Sequence, residues 1–299
     1  MTSQRCQDAI RQLVETYPIC RSEELTTSAY GRPVTALVLG SGGRRVLFSG
    51  AHHANEWITA PILLRFAEDL CRGGTLYGVD ASLILDSVTL HLVPMVDPDG
   101  VDLVTGAVQV GTLEYEKART LADRYPQIPF PDGWKANLLG VDLNLQYPAG
   151  WLQAREIKFS QGFDRPGPRD YVGRSPLSQR ETIALAEYTL DVDPALVLAY
   201  HTQGQVIYWQ FEDYFVPGAR ELGEEFARVS GYSLEDTPYN SSFAGYKDWF
   251  IQRFRRPGFT IEAGQGENPL PIGQFEEIYR DNIGILVTAA LGLPEQVSS

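Results

Sequence analysis

Residues 44–59, RRVLFSGAHHANEWIT, join an apolar strand to a cluster of reactive side chains and then to a helix. The helix is indicated by apolar side chains that recur every four positions, at Ile58, Ile62, Phe66 and Leu70. That spacing predicts an amphipathic helix packed on a core. His53 and Glu56 therefore lie between the end of a strand and the start of a helix, where α/β proteins commonly place their ligand sites.

Other strands and helices alternate on either side of this stretch. Apolar, β-branched runs predict strands at 34–40, 44–51, 87–96, 194–201, 205–211 and 257–264. The turn SGG predicts that the first two runs pair with each other, and DPDG (97–100) predicts a second turn. Helical patterns cover 178–190, 218–230, 245–254 and 272–293. This order indicates an α/β fold, a mixed sheet with helices on both faces.

Residues 126–176 are rich in Pro, Gly and aromatic side chains and show no clear period, which predicts a long functional surface excursion. The sequence contains no linker, repeat or low-complexity tract that would divide it. We therefore expect a single domain over residues 1–299, without an additional module. The span 194–211 is uncharged, but HTQGQ interrupts it, so it predicts two buried strands and no membrane helix.

The composition excludes some partners. The 299 residues carry a formal net charge of −13, which argues against nucleic-acid binding. An odd number of cysteines, Cys6, Cys20 and Cys71, argues against a disulfide framework. Charged residues near the N-terminus leave no room for the apolar part of a signal peptide, so we expect a cytoplasmic location.

The four histidines are His52, His53, His91 and His201. His53 and Glu56 form a His-x-x-Glu pair, which alone is a weak sign of a metal site because it often occurs by chance. His201 ends the apolar run 194–201, whereas His91 lies inside a strand pattern. Two histidines and one glutamate would leave one zinc position open to water, which is the arrangement of a catalytic zinc. Glu262 ends another apolar strand and is the candidate general base.

Several of these segments together resemble the zinc carboxypeptidase (funnelin) family. They occur in the family's order over roughly residues 25–293 and are GAHHANEWIT (50–59), DPDG (97–100), GVDLN (140–144), His201 and FTIEAG (259–264). WKAN (134–137), HTQGQVIYW (201–209) and GYKDWF (245–250) resemble more narrowly the bacterial γ-D-glutamyl-L-diamino-acid endopeptidases, which cut peptidoglycan stem peptides. The resemblance implies one Zn²⁺ on His53, Glu56 and His201, Glu262 as the base, and a mixed sheet of about eight strands.

The resemblance also suggests roles for residues around the metal. Asp142 matches the carboxylate that orients the first zinc histidine. Asn144 matches a substrate-binding asparagine, but Leu145 stands where carboxypeptidases have an arginine for the terminal carboxylate, and a neutral side chain cannot replace it. Lys135 is the candidate oxyanion donor, although a solvated loop lysine is an equally good interpretation.

Lys247 falls at the family's pocket-floor position, where a cation would select a substrate carboxylate; a solvated helix lysine is the alternative. Tyr239 is the candidate for the family's mobile substrate-binding tyrosine. The leading hypothesis is hydrolysis of the γ-D-glutamyl bond to a diamino acid, meso-diaminopimelate or L-Lys, in murein peptides. The alternatives are a carboxypeptidase for acidic or unusual C-terminal residues and a catalytically silent binding protein.

Overall fold

The computed structural model describes residues 1–293 and has a mixed β-sheet between two layers of helices. The strands are β1 (Arg21–Thr27), β2 (Pro33–Leu39), β3 (Arg44–Ser49), β4 (Thr75–Leu76), β5 (Val79–Asp80), β6 (Val88–Val93), β7 (Leu196–His201), β8 (Val206–Tyr208), β9 (Ser233–Glu235) and β10 (Gly258–Glu262). Eight of them form one sheet in the order β1-β2-β6-β3-β7-β10-β8-β9, and β4 pairs with β5.

Ten α-helices accompany these strands within the described residues. They are α1 (Ser3–Thr16), α2 (Thr59–Arg72), α3 (Ala81–Ser87), α4 (Pro98–Val104), α5 (Leu113–Ala122), α6 (Trp151–Ser160), α7 (Arg180–Val192), α8 (Ala219–Ser230), α9 (Tyr246–Phe254) and α10 (Phe275–Leu291). The predicted α/β class with a mixed sheet is confirmed. None of the helices in residues 1–293 has both the length and the apolar character that crossing a bilayer requires.

Side-chain alternation along β3 builds a core on each face of the sheet. Val46 and Phe48 pack into the core under α1, α2, α3, α8 and α10, while Leu47 packs into the core under α6, α7 and α9. All three side chains are fully buried. A strand covered by helices on both faces reads as a continuous apolar run, which explains why β3 shows no polar alternation.

The predicted pairing of the runs 34–40 and 44–51 is wrong, because β6 lies between β2 and β3. The backbone of the connecting turn packs instead on the end of α3, at its junction with β6. Ser41 N donates to Leu85 O over 2.8 Å, and Gly42 lies against the backbone of Ser87 with no room for a Cβ. The turn therefore needs glycine for close approach to the junction of α3 and β6, not for a hairpin.

Other segments also differ from the expectations. DPDG begins a helix, because Asp97 caps α4 by accepting from Gly100 N over 2.9 Å. The excursion 126–176 contains the helix α6. The sequence patterns did not predict α1, β1 or β9, because many of the residues in these elements are polar. The cysteines are free thiols, and the sulfurs of Cys20 and Cys71 lie 3.2 Å apart.

The parallel strands at the centre of the sheet position the functional side chains. β6, β3, β7 and β10 all run in the same direction, so their carboxyl ends meet at one edge of the sheet. His201 and Glu262 are paired residues at the ends of β7 and β10. The loop after β3, which carries His53 and Glu56, starts at the same edge.

Candidate active site

His53 and Glu56 are brought together by a tight turn that follows β3. His53 precedes a single 3₁₀ turn, Ala54–Glu56, and this turn directs the carboxylate back to the imidazole. The distance between Glu56 Oε1 and His53 Nδ1 is 3.0 Å. The three-residue spacing thus works through a 3₁₀ turn placed before α2, not through the helix itself.

His201 completes the cluster from the neighbouring strand β7. Its Nδ1 lies 2.8 Å from Glu56 Oε2 and 3.2 Å from His53 Nδ1. All three residues are buried, and their ligand atoms lie within 4.8 Å of one another. Two imidazole nitrogens and a carboxylate that converge in this way form a donor set suited to zinc.

Asp142 fixes the orientation of His53. Its Oδ1 lies 3.1 Å from His53 Nε2, so a proton on Nε2 leaves the Nδ1 lone pair directed at the cluster. Burial lowers the pKa of His53, but Glu56 and Asp142 outweigh burial and raise this pKa to about 9. The carboxylates of Glu56 and Asp142 therefore favour a positive charge beside His53, and a bound metal ion would provide one.

Glu262 reaches the same pocket from the end of β10 and has no role as a ligand in the cluster. Burial raises its pKa above the ordinary value for a glutamate, and the opposing effect of His201 is too small to cancel this. A carboxylate whose pKa is shifted towards neutrality is better matched to accept and return a proton.

A pocket of about 250 Å³ opens over these groups. Besides His53, Asp142 and His201, its wall includes four more residues to which the sequence assigned roles: Lys135, Asn144, Lys247 and Glu262. Leu145 also lines it, at the position next to Asn144. Asn144 Oδ1 accepts from Tyr246 N over 3.1 Å, which joins the pocket wall to the start of α9.

Lys135 is not a solvated loop lysine. Its side chain is 18% exposed, and Nζ lies 2.9 Å from Glu56 Oε1. Burial lowers the pKa of Lys135, but Glu56 outweighs burial and the net shift is upward. The ammonium therefore stays charged beside the cluster.

Lys247 is also buried, so the interpretation as a solvated helix lysine is wrong. Its Nζ lies 2.6 Å from Asp248 Oδ1 and donates to Gln210 O over 2.5 Å. Burial raises the pKa of Asp248, and the neighbouring ammonium only partly opposes this. Asp248 and Gln210 thus hold the Lys247 ammonium in a fixed position on the pocket wall.

Tyr239 lies outside the lining of this pocket. Its side chain is exposed, and its hydroxyl accepts from Gln153 Nε2 over 2.7 Å. Its neighbours Pro238 and Ser241 do line the pocket. Substrate binding by Tyr239 stays a prediction.

The remaining histidines have other partners within the described residues. His52 is fully buried, and its Nε2 lies 3.2 Å from the hydroxyl of Tyr147. His91 lies on β6 with Nδ1 2.7 Å from the hydroxyl of Tyr188. His91 is thus a strand residue of the core, as its sequence context indicated.

Three charged residues in the pocket were missed by the sequence analysis: Lys158, Arg169 and Asp170. All three fall in the excursion 126–176, where no periodic pattern marked any position. A usable signal was present, since Arg169 and Asp170 are adjacent opposite charges in a run of Pro and Gly.

A model of the zinc carboxypeptidase family, described as "Zinc carboxypeptidase", matches residues 6–284. The chain belongs to the zinc carboxypeptidase family. It is a zinc metallopeptidase, and His53, Glu56 and His201 are its zinc-binding triad. The predicted family and enzyme class are confirmed, and a catalytically silent binding protein is not supported.

One curated relative is gamma-D-glutamyl-L-diamino acid endopeptidase 1 of Lysinibacillus sphaericus, 44% identical over 282 residues that cover 93% of this chain and 69% of the relative. Among solved structures, bovine thrombin-activatable fibrinolysis inhibitor superposes with a TM-score of 0.73 at 17% identity, covering 97% of this chain and 96% of that one. Murein-tripeptide amidase MpaA from Escherichia coli O157 gives a TM-score of 0.57 at 21% identity, covering 92% and 93%. The structural matches support the fold.

Proposed function

We propose that this zinc metallopeptidase hydrolyses the amide bond between γ-D-glutamate and a diamino acid in peptidoglycan stem peptides. The observation that carries the proposal is the pocket wall beside Asn144, where Leu145 replaces the arginine that holds a C-terminal carboxylate in carboxypeptidases. Cations instead enter the pocket at other points, Lys135, Lys158, Arg169 and Lys247. The similarity to the Lysinibacillus endopeptidase supports the same substrate class.

His53, Glu56 and His201 hold one zinc ion per chain, and Asp142 keeps His53 oriented. When bound, zinc supplies Lewis-acid chemistry, which activates water and polarises the scissile carbonyl. Glu262 accepts the proton of the attacking water and returns it to the nitrogen of the leaving amine.

Other residues of the pocket stabilise the negative charge of the transition state and bind the substrate. The Lys135 ammonium donates to the oxygen of the scissile carbonyl as negative charge develops on it. Asn144 and Lys247 bind the leaving side of the substrate, where meso-diaminopimelate carries carboxylates. Tyr239 approaches from the rim formed by Pro238 and Ser241.

A second candidate is a carboxypeptidase that removes acidic or unusual C-terminal residues. The position of Lys247 favours it, because an ammonium on the pocket floor can hold a terminal carboxylate without the missing arginine. This activity and the first one predict different products from a single peptide.

The experiment uses the tetrapeptide L-Ala-γ-D-Glu-meso-diaminopimelate-D-Ala and the zinc-loaded protein, with products separated by chromatography and identified by mass. Release of L-Ala-D-Glu is the expected result. Release of D-Ala alone would favour the carboxypeptidase. The Glu262→Gln variant, prepared in the same way, shows whether a contaminating peptidase produces the signal.

A further inference from the structure

Arg169 has an unused hydrogen-bonding edge in the pocket. Its Nε donates to Asp170 Oδ2 over 2.7 Å. Neither terminal nitrogen of the guanidinium has a hydrogen-bond partner among residues 1–293. The side chain is 39% exposed and lines the pocket. Two terminal N–H groups without a protein partner can bind the oxygens of a carboxylate.

The charges around Arg169 leave it with a net positive charge. Lys158 Nζ lies 2.7 Å from the other oxygen of Asp170, so one carboxylate is shared by two cations. The nearby Asp142 carboxylate is already occupied, by His53 at 3.1 Å and by the backbone N–H of Asp170 at 3.2 Å. The group formed by Lys158, Arg169 and Asp170 therefore carries one net positive charge, and the more distant carboxylates of Asp142 and Glu56 also act on Arg169.

Asp170 is held in an unusual backbone conformation beside this group. Its φ is 63°, in the left-handed region that residues with a Cβ seldom adopt. Together with its hydrogen bond to Asp142, this conformation directs the Asp170 carboxylate between Lys158 and Arg169.

The position of Arg169 next to Lys135 assigns it to one side of the scissile bond. Pro168 O accepts from the backbone N–H of Lys135 over 2.7 Å and from that of Ala136 over 2.9 Å. The chain at Arg169 is thus bonded directly to the loop that carries the proposed oxyanion donor. An oxyanion develops on the acyl side of the bond, and Arg169 is close enough to Lys135 for its charge to lower the pKa of that ammonium, so a carboxylate beside Arg169 would belong to the acyl side.

A γ-linked D-glutamate differs from an ordinary residue on that side. Its free α-carboxylate is separated from the γ-carbonyl by a three-carbon chain, which places the two carbons no more than about 5 Å apart. An α-linked peptide has no carboxylate at this distance unless its side chain supplies one.

We propose that Arg169 binds the free α-carboxylate of the γ-D-glutamyl residue and determines specificity for γ-linked substrates, with Asp170 and Lys158 holding it in position. This inference rests on the proposed function. It also separates two carboxylate sites, Arg169 on the acyl side and Lys247 on the leaving side.

The test compares L-Ala-γ-D-Glu-meso-diaminopimelate with the same peptide whose glutamyl α-carboxylate is amidated. The wild-type protein should cleave the free acid with a kcat/KM roughly 30-fold or more above that for the amide, the range expected when a partly buried charge pair is lost. Arg169→Met should lose most of its activity on the free acid and little on the amide. Arg165→Met is the matched control, because Arg165 lies in the same segment but is exposed and paired with Asp164.

A second substrate pair locates the effect on one side of the bond. Replacing meso-diaminopimelate by L-Lys changes the leaving side only, so the ratio of the two activities should be the same in Arg169→Met and wild type. Equal losses of Arg169→Met on the free acid and the amide would overturn the assignment. Zinc content and melting temperature, measured on each variant, show whether the fold is intact.

Arg169→Lys decides the question if Arg169→Met does not fold, since it keeps the charge but loses the paired N–H groups. A reduced preference for the free acid supports the proposal, and an unchanged preference overturns it. If the wild-type protein cleaves the free acid and the amide equally, the carboxylate assignment fails while the proposed function stands. If it cleaves neither, the proposed function fails and the assignment falls with it.

Discussion

Lys135 Nζ lies 2.9 Å from Oε1 of Glu56, so the proposed oxyanion donor directly contacts a zinc ligand. The contact restrains the ammonium at the edge of the metal centre, where a carbonyl oxygen would approach. It also places a positive charge near the metal, which opposes zinc binding electrostatically. The ammonium is thus expected to increase activity and to decrease zinc affinity, so measuring both quantities separates its two effects.

Lys135→Met is therefore expected to lower kcat by roughly 10²–10³, the usual cost of removing one oxyanion donor. Zinc affinity should stay the same or increase, because a nearby cation has been removed. Steady-state kinetics and a zinc titration with a competing chelator measure the two quantities. A parallel loss of zinc and activity would show that Lys135 supports the metal site instead.

His201→Ala is expected to lose zinc, because only His53 and Glu56 of the triad would remain. His91→Ala is the matched control, since His91 is a buried strand histidine that contacts Tyr188 and not the cluster. Elemental analysis should give about one zinc per chain for the wild type and the control. Full zinc retention by a folded His201→Ala protein would contradict the ligand assignment.

Glu262→Gln should keep both the fold and the zinc while losing activity by roughly 10² or more, because the amide cannot accept a proton. Glu267→Gln serves as a control, since Glu267 is an exposed residue of the following loop. The measurements are zinc content and kcat/KM on the murein tripeptide. Activity within a few-fold of the wild type would place the base elsewhere in the pocket.

Lys247→Met should reduce kcat/KM for meso-diaminopimelate peptides much more than for L-Lys peptides, because the ammonium is proposed to hold a carboxylate of the leaving side. The single variant leaves Asp248 buried without its ion-pair partner at 2.6 Å, so it is expected to be destabilised. The double variant Lys247→Met/Asp248→Asn removes both charges and should show the same change in preference. Lys117→Met is the control, since this exposed lysine lies on α5. Equal losses on both substrates would assign Lys247 a structural role.

The sequence specified most fully the parts of the site that depend on local order. A strand end, a turn and a helix start are all encoded within residues 44–59, and so the placement of His53 and Glu56 followed from the pattern. His201 and Glu262 followed because apolar runs end at them and parallel strands align their carboxyl ends.

The parts that were missed depend on contacts between distant segments. β6 is inserted between β2 and β3, and the close packing of Gly42 on Ser87 that accompanies this order appears in no local pattern. Arg169 lines the pocket in a segment without periodicity, and the neighbouring Pro168 O accepts from the backbone N–H of Lys135, a residue 33 positions earlier in the chain. Turn chemistry alone predicted a hairpin between β2 and β3, and it predicted no structure around Arg169.

Glu181 gives a prediction for the pH dependence of stability. It lies in the first turn of α7 and is 1% exposed, and burial raises its pKa from 4.5 to about 7. The folded state therefore holds this proton more tightly than the unfolded state. The resulting stabilisation is present below about pH 4.5 and is lost as the pH rises through about 7.

Glu181→Gln cannot ionise, so it should avoid that loss. The free energy of unfolding of the variant, minus that of the wild type, should increase between pH 5 and pH 8 by on the order of 3 kcal/mol at most. Urea unfolding at several pH values measures this difference. Glu187→Gln, an exposed position on the same helix, should show no such trend. A difference that does not change with pH would mean that Glu181 is already ionised in the folded protein at pH 5, and that its burial is compensated by partners other than a proton.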